Sequence, residues 1–312
     1  MTLSLKRGMA HLRNGTLLDR LRSIWWLSEE GRREHRVRVR TNWWRSQTGV
    51  RDYFETGIQT GVQMRLYFDS RLAQNIHCEN FEWQEREFLN RFLRPGDIYV
   101  DVGANIGLFT LIAARCIGPE GRVYAFEPSS RTYERLLENV ALNKFDNVST
   151  HKVALSDRAA QLEMTVSLDG FDAWNSLAQP IDGKSFAVET ITSTTWDAFA
   201  EGHDLAGRVT MMKIDVEGWE KHVLAGGAGI LSREDAPTLQ VEFTEQAARS
   251  ANSSCAELYH MLEELGYSMF IYDTKAKNLI PDPIRDDYPY LNLIATKKPV
   301  EVAARLKGRS RT

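Results

Sequence analysis

From residue 98 to residue 296 the chain alternates short, β-branched apolar runs with longer stretches whose apolar residues recur at helical spacing. That alternation is the strongest constraint in the sequence. Strand–helix–strand units of this kind close into a mostly parallel sheet with helices on both faces. Strands are predicted at 98–102, 122–126, 149–154, 209–214, 238–243, 267–272 and 291–296, and helices near 106–116, 129–143, 217–225 and 254–265. Residues 155–208 break the rhythm: polar and aromatic, with short strands of their own, they read as an insertion over one edge. Upstream, Phe81, Phe88, Leu89, Phe92 and Leu93 keep helical spacing, and Arg94-Pro95-Gly96-Asp97 ends that helix.

The N-terminal region is different in kind. Residues 2–30 carry an imperfect helical stripe, "VRVRTNW" at 37–43 alternates like an edge strand, and 61–77 reads as a strand or hairpin. Residues 1–51 hold twelve Lys/Arg against four Asp/Glu, a balance of +8 in a chain whose net charge is −3. Two tryptophan pairs, Trp25-Trp26 and Trp43-Trp44, lie in this basic arm. Such an arm suits a nucleic acid, an anionic lipid, an acidic partner or a second copy of the chain. The plainer alternative is that it folds back on the acidic body. The expected organisation is an arm at 1–80, a main domain at 81–300 and a basic tail at 301–312.

Cys78, Cys116 and Cys255 are odd in number and widely spaced, which argues against a disulfide framework or a zinc site and for a reducing cytoplasm. No apolar run approaches the roughly 18 residues of a membrane span, and charges interrupt the place where a signal peptide would have its apolar core.

The stretch "YVDVGANIGLFTLIAA" (99–114) runs from strand through a glycine turn into a helix. Gly103 and Gly107 permit positive φ and a close approach of a ligand to the backbone. Amides at the start of the helix favour anionic or electron-rich groups. The spacing is neither G-x-G-x-x-G nor a P-loop, so a pyrophosphate or triphosphate is not the expected guest. The next strand ends in Glu127, twenty residues beyond Gly107, where an acid can accept hydrogen bonds from both hydroxyls of a ribose. Turn and acid together point to an adenosine-type ligand.

Four segments, "VDVGANIGLFTLIAA", "VYAFEPSSRTYERLLENVALN", "VALSD" and "MMKIDVEGWEKHVLAGG", together resemble the FkbM family of S-adenosylmethionine-dependent methyltransferases. The resemblance covers about residues 81–296. It implies an α/β fold of the class I (Rossmann-like) methyltransferase type, a seven-stranded sheet with six strands parallel and the last antiparallel. It implies S-adenosylmethionine as cofactor, with Asp101, Gly103, Asn105 and Gly107 in the cofactor loop, Glu127 at the ribose, and Ser156 and Asp157 near the adenine. The cofactor's carboxylate would suit the loop amides, and its cationic centre an acid-lined pocket. Glu82 matches an acid ahead of the family's cofactor loop and reads as structural.

Asp215 and Glu217 follow the fourth strand of the predicted sheet, near the switch point where such folds bind ligands. They are the candidate catalytic acids, as base, as holder of the cofactor's ammonium or as metal ligands, with capping of the next helix as the plain alternative. Glu242 could join Asp215 around Mg²⁺. His77, His203 and His222 are candidate bases, His77 facing substrate. Trp174, Asn175 and Ser176 lie where the insertion would cover the substrate. The leading reading is O-methylation of a hydroxyl on a small metabolite such as a sugar or polyketide, in the cytoplasm, with the arm as a homo-oligomer contact. Methylation of nucleic acid is disfavoured by the absence of [DN]-P-P-[YF] and by the acidic body, and a non-catalytic scaffold by the intact loop and acids.

Overall fold

The computed structural model describes residues 29–78, 81–167, 176–177 and 186–308. The centre is an eight-stranded sheet. Its strands are β3 (Ile98–Val102), β4 (Arg122–Phe126), β5 (Val148–His151), β9 (Met211–Ile214), β10 (Thr238–Phe243), β11 (Ser268–Asp273), β12 (Asn278–Pro281) and β13 (Leu291–Thr296), in the order β12-β11-β13-β10-β9-β3-β4-β5. β5, β4, β3, β9 and β10 pair in parallel, and β13 runs antiparallel between β10 and β11. The seven predicted strands are therefore present with the last one reversed. β12, which the sequence reading did not anticipate, adds an eighth at the edge, antiparallel to β11.

β9 and β10 are buried along their whole length, as strands of a sheet covered on both faces must be. Alternate residues feed opposite cores: Tyr99, Met211 and Ile294 pack on one face, Val100, Met212 and Leu293 on the other. The first core is closed by α3 (Trp83–Phe92), α4 (Leu108–Ile117) and α11 (Pro299–Lys307). The second takes α6 (Trp196–Gly202), α7 (Glu220–Gly226) and α10 (Cys255–Glu264). Helix α5 (Ser130–Asn143) follows β4. No helix among the described residues is long and apolar enough to cross a membrane.

Several expectations change. Residues 37–43 are helical, inside α1 (Glu29–Gln47), not an edge strand. Trp44, 3% exposed, anchors that helix against Phe54 and Phe68, and this packing overrides the β preference of the alternating valines. The Trp43-Trp44 pair thus packs on Phe54, Phe68 and His77 within the arm itself; Trp25-Trp26 fall outside the described residues. Residues 61–77 divide into β2 (Val62–Tyr67), which forms a hairpin with the preceding β1 (Tyr53–Gln59), and a helix, α2 (Arg71–His77), begun by Ser70 accepting from the Ala73 amide. In the insertion, β6 (Ala154–Leu155), β7 (Ala160–Ser167) and β8 (Phe186–Thr194) form a separate three-stranded sheet. The insertion's C-terminal part is core, because Trp196 and Ala200 of α6 are buried beneath the crossover to β9. The expected basic tail begins as α11, whose Val302 and Leu306 are buried and whose Arg305 pairs with Asp97 at 2.7 Å.

Candidate active site

A cavity of about 250 Å³ opens beyond the carboxyl ends of β3, β4, β9 and β10. The turn after β3 forms its floor. Gly103 has φ +81, and a Cβ there would lie 1.8 Å from the Asp215 carbonyl oxygen, so only glycine lets the two loops meet. Gly107, at φ +96, starts α4 against Leu136. Asn105 also sits in the left-handed region, at φ 49, where its Oδ1 accepts from the Ile106 amide at 2.8 Å.

The amides of this turn are not offered to a ligand. Those of Gly103 and Ala104 donate to the Phe126 carbonyl, Gly107 to Ala104, Ile106 to the Asn105 side chain, and Asn105 to Glu127 Oε2 at 3.0 Å. This corrects the expectation that loop amides 103–107 would hold a carboxylate. Asp101 is likewise placed beneath the turn and not among the cavity-lining residues: its Oδ2 accepts from Thr110 Oγ at 2.6 Å, tying α4 to β3. Gly103 and Asn105 line the cavity.

Glu127 also lines it. Its Oε1 accepts from the Ser129 amide at 3.0 Å, so each oxygen carries one backbone bond and retains capacity for another. Burial pushes this carboxyl up to about 7, against the lowering effect of the Ser129 and Asn105 bonds. Val153, Leu155, Met164, Leu177 and Trp219 make the wall beside it apolar. Ser156 and Asp157 do not line this cavity. Ser156 Oγ accepts from Trp219 Nε1 and donates to Asp157, each at 3.0 Å, so the pair sets the tryptophan wall from behind.

The other end of the cavity is acidic. Period-two alternation sends Asp101, Lys213, Gln240, Glu242 and Asn292 to the sheet face that α3 covers, and Glu82 and Glu85 approach that face from the start of α3. Lys213 is 2% exposed, and its Nζ stands 2.5 Å from Asp215 Oδ2. Burial works against its charge, but Asp215, Glu82 and Asp101 outweigh that and hold its pKa above the usual range. Glu217 and Glu242 are both raised well above the ordinary carboxyl range, first by burial and then by Asp215. Neither Asp215 nor Glu217 caps the following helix. That helix has no side-chain cap; Glu220 instead pins the turn before it, its Oε1 accepting from the Val216 and Gly218 amides at 3.0 and 3.2 Å.

Oxygens of Asp215, Glu217 and Glu242 lie within 4.8 Å of one another. Lys213 already places a positive charge at this trio, its Nζ 2.5 Å from Asp215 Oδ2, and Thr244 donates to Glu242 Oε1 at 2.8 Å, so the candidate Mg²⁺ between Asp215 and Glu242 has no support beyond the proximity of the three carboxyls.

Ser176 lines the cavity and donates to the Glu217 carbonyl at 2.6 Å, while Trp174 and Asn175 fall outside the described residues. His77 is placed elsewhere, its ring packed among Trp43, Trp44 and Phe54. His203 stacks on Phe199 and His222 on Trp219, away from the acids. Sequence reasoning passed over Lys213, although a lysine at an inward position of an apolar strand is a readable signal. It also gave Glu82 only a structural part, and Tyr290, which donates to Glu82 Oε1 at 2.6 Å, none.

The family profile of the methyltransferase FkbM domain matches residues 101–269, more than half of the chain. Methyltransferase 1 of Beauveria bassiana is 30% identical over 149 residues, 42% of this chain and 59% of its own length. The 31-O-demethyl-FK506 methyltransferase FkbM of Streptomyces tacrolimicus is 29% identical over 206 residues, 57% of this chain and 75% of its own. Among solved structures, M. jannaschii TYW2 in complex with AdoMet shows a TM-score of 0.41 at 14% identity, covering 78% of this chain and 84% of that one.

Proposed function

We propose a small-molecule O-methyltransferase, starting from the fact that this chain belongs to the FkbM methyltransferase family. One observation carries the reading: a single cavity joins an apolar wall beside Glu127 to a buried acid cluster built around Lys213. An adenosine suits the first end, its ribose hydroxyls donating to Glu127 and its base resting against Met164, Leu177 and Trp219. A sulfonium and an ammonium suit the second, where carboxyls outnumber the one lysine. S-adenosylmethionine has that distribution of charge and, when bound, supplies the methyl group as an electrophile.

The residues of this chain contribute mainly position. Methyl transfer from a sulfonium is an in-line displacement, and holding the acceptor oxygen on that line is most of the catalysis. Asp215 is fixed by Lys213 on one oxygen and can orient the acceptor hydroxyl or the cofactor ammonium with the other. Glu217, held by the turn that Glu220 and Ser176 pin, closes the same wall. A hydroxyl acceptor on a metabolite such as a polyketide or sugar agrees with the name of the Streptomyces relative, a 31-O-demethyl-FK506 methyltransferase. The basic arm is assigned to contact between copies, tested by the solution mass of a chain lacking residues 1–28.

The test is calorimetric titration with S-adenosylhomocysteine, followed by a screen of hydroxylated metabolites with S-adenosylmethionine. Saturable binding and methylation of an oxygen support the reading. A folded protein that does not bind S-adenosylhomocysteine overturns it.

A further inference from the structure

Glu82 stands where a structural acid would not need to stand. It is the residue before α3, yet its side chain makes no capping bond, and its backbone is left-handed at φ 42. For a residue with a Cβ that conformation costs about 1–2 kcal/mol. It turns the carboxyl into the cavity, onto the wall that also holds Lys213, Asp215 and Glu217. Oε1 accepts from the Tyr290 hydroxyl at 2.6 Å, whereas Oε2 is sealed from solvent and has no hydrogen-bond partner. Tyr290 is 51% exposed as a whole, but its hydroxyl points inward to make this bond. Asp215, by contrast, is engaged by Lys213. Glu242 is held much as Glu82 is, with Thr244 donating to one oxygen at 2.8 Å and the other unpartnered, but it lies on β10 and its backbone is not turned toward the cavity by a left-handed residue.

We propose that Glu82 is the proton acceptor of the reaction, with Tyr290 holding one carboxylate oxygen so that the other faces the acceptor hydroxyl. The assignment rests on the methyltransferase reading above. As the acceptor oxygen bonds to the methyl carbon, the methyl–sulfur bond breaks, sulfur keeps the electron pair, and the hydroxyl proton passes to Glu82 Oε2. The products are a neutral ether, a neutral thioether and a protonated Glu82. Groups facing Glu82 are Lys213 from β9, Asp215 and Glu217 from the turn after β9, Tyr99 from β3, Glu85 from α3 and Tyr290 from the segment before β13. Among them burial dominates, lifting this carboxyl to about 8 against Lys213 and the Tyr290 bond, which lower it. A base titrating near neutral pH combines a useful ionised fraction with a strong pull on the proton.

The test needs no acceptor. Sinefungin carries an amine where the cofactor carries its methylsulfonium, so its ammonium probes the carboxylate that faces the transfer point. Calorimetric titrations compare it with S-adenosylhomocysteine from pH 6.5 to 9. The full-length protein is expected to prefer sinefungin at least about tenfold at pH 8.5, and less at pH 6.5, where Glu82 is neutral. Glu82→Gln is expected to reduce the preference to under about twofold at every pH, with S-adenosylhomocysteine affinity unchanged. Tyr290→Phe removes a bond that stabilises the carboxylate and should move the midpoint of the preference to higher pH. Retention of the wild-type preference by Glu82→Gln, equal loss of both ligands, or an unmoved midpoint in Tyr290→Phe overturns the assignment to Glu82 alone. Failure of the folded wild type to bind S-adenosylhomocysteine overturns the cofactor reading and the proposal with it.

Discussion

Replacing Lys213 by methionine removes the one buried ammonium of the acid cluster while keeping a side chain of similar length beside the Phe109 ring, over which the lysine Nζ lies at 4.7 Å. Breaking a buried pair by deleting one partner costs about 3–5 kcal/mol, because the other charge is left uncompensated. The alternative open to the mutant is to neutralise a carboxyl. For a reference carboxyl of unperturbed pKa, about 4.3, protonation costs about 3.7 kcal/mol at pH 7 and about 1 kcal/mol at pH 5, by 1.36 kcal/mol for each pH unit. Lys213 itself does not create the pH dependence. Its folded pKa is raised, so its contribution is complete below the ordinary lysine range and is lost only at higher, strongly alkaline pH. The expected result is therefore a Lys213→Met loss of about 3–5 kcal/mol at pH 7 that shrinks by about 2–3 kcal/mol at pH 5. Urea denaturation of both proteins at the two pH values reads it directly. A loss below about 1 kcal/mol at pH 7, or one equal at both pH values, would refute the claim that Lys213 neutralises a buried acid network.

Glu127→Ala should weaken S-adenosylhomocysteine binding by about 10–100-fold in calorimetry, since a hydrogen bond to a charged group contributes about 1.5–3 kcal/mol; an unchanged Kd would remove the ribose role. Gly103→Ala should fail to give soluble, folded protein or should lose more than about 4 kcal/mol, as its Cβ would stand 1.8 Å from the Asp215 carbonyl at φ +81. A substitution tolerated within 1 kcal/mol would contradict the loop contact. The ligand-free protein should become less stable as pH rises from about 5 to about 8.5. Glu82, Glu127 and Glu220 have folded values of about 8, 7 and 7, so the native state binds more protons than the unfolded chain in that window. Each carboxyl can account for a few kcal/mol at most, on the order of 3 for Glu127, and urea midpoints across the range measure the slope.

How much of this was legible depends on whether the deciding contact is local. The sheet was readable because each strand is a short apolar run set against a helical period, and the cofactor turn because Gly103 and Gly107 frame it. The fate of the turn amides was not readable: they are spent on Phe126, Asn105 and Glu127, and only the left-handed Asn105 makes that closure work. "VRVRTNW" was misjudged because its alternation is local, whereas the contacts that make it helical, Trp44 on Phe54 and Phe68 and Arg40 on the His77 carbonyl, are not. Asp215 and Glu217 could be placed at a strand end from the motif alone. Glu82 could not be placed opposite them, because over a hundred residues separate them and the φ of Glu82, not its neighbours in sequence, aims its carboxyl.

The charge count at the acidic end carries a last consequence. Glu82, Asp101, Asp215, Glu217 and Glu242 are gathered around Lys213, and burial raises the carboxyls of Glu217 and Glu242 well above their ordinary range. A ligand that brings positive charge to this end makes ionisation of those carboxyls cheaper, so its binding must release protons. S-adenosylmethionine and S-adenosylhomocysteine differ there by the sulfonium charge. Titrations at pH 7.5 in two buffers of different ionisation enthalpy should therefore show more protons released by S-adenosylmethionine than by S-adenosylhomocysteine. Equal release would mean that the sulfonium does not face this cluster, and that the acids serve the fold and not the transfer.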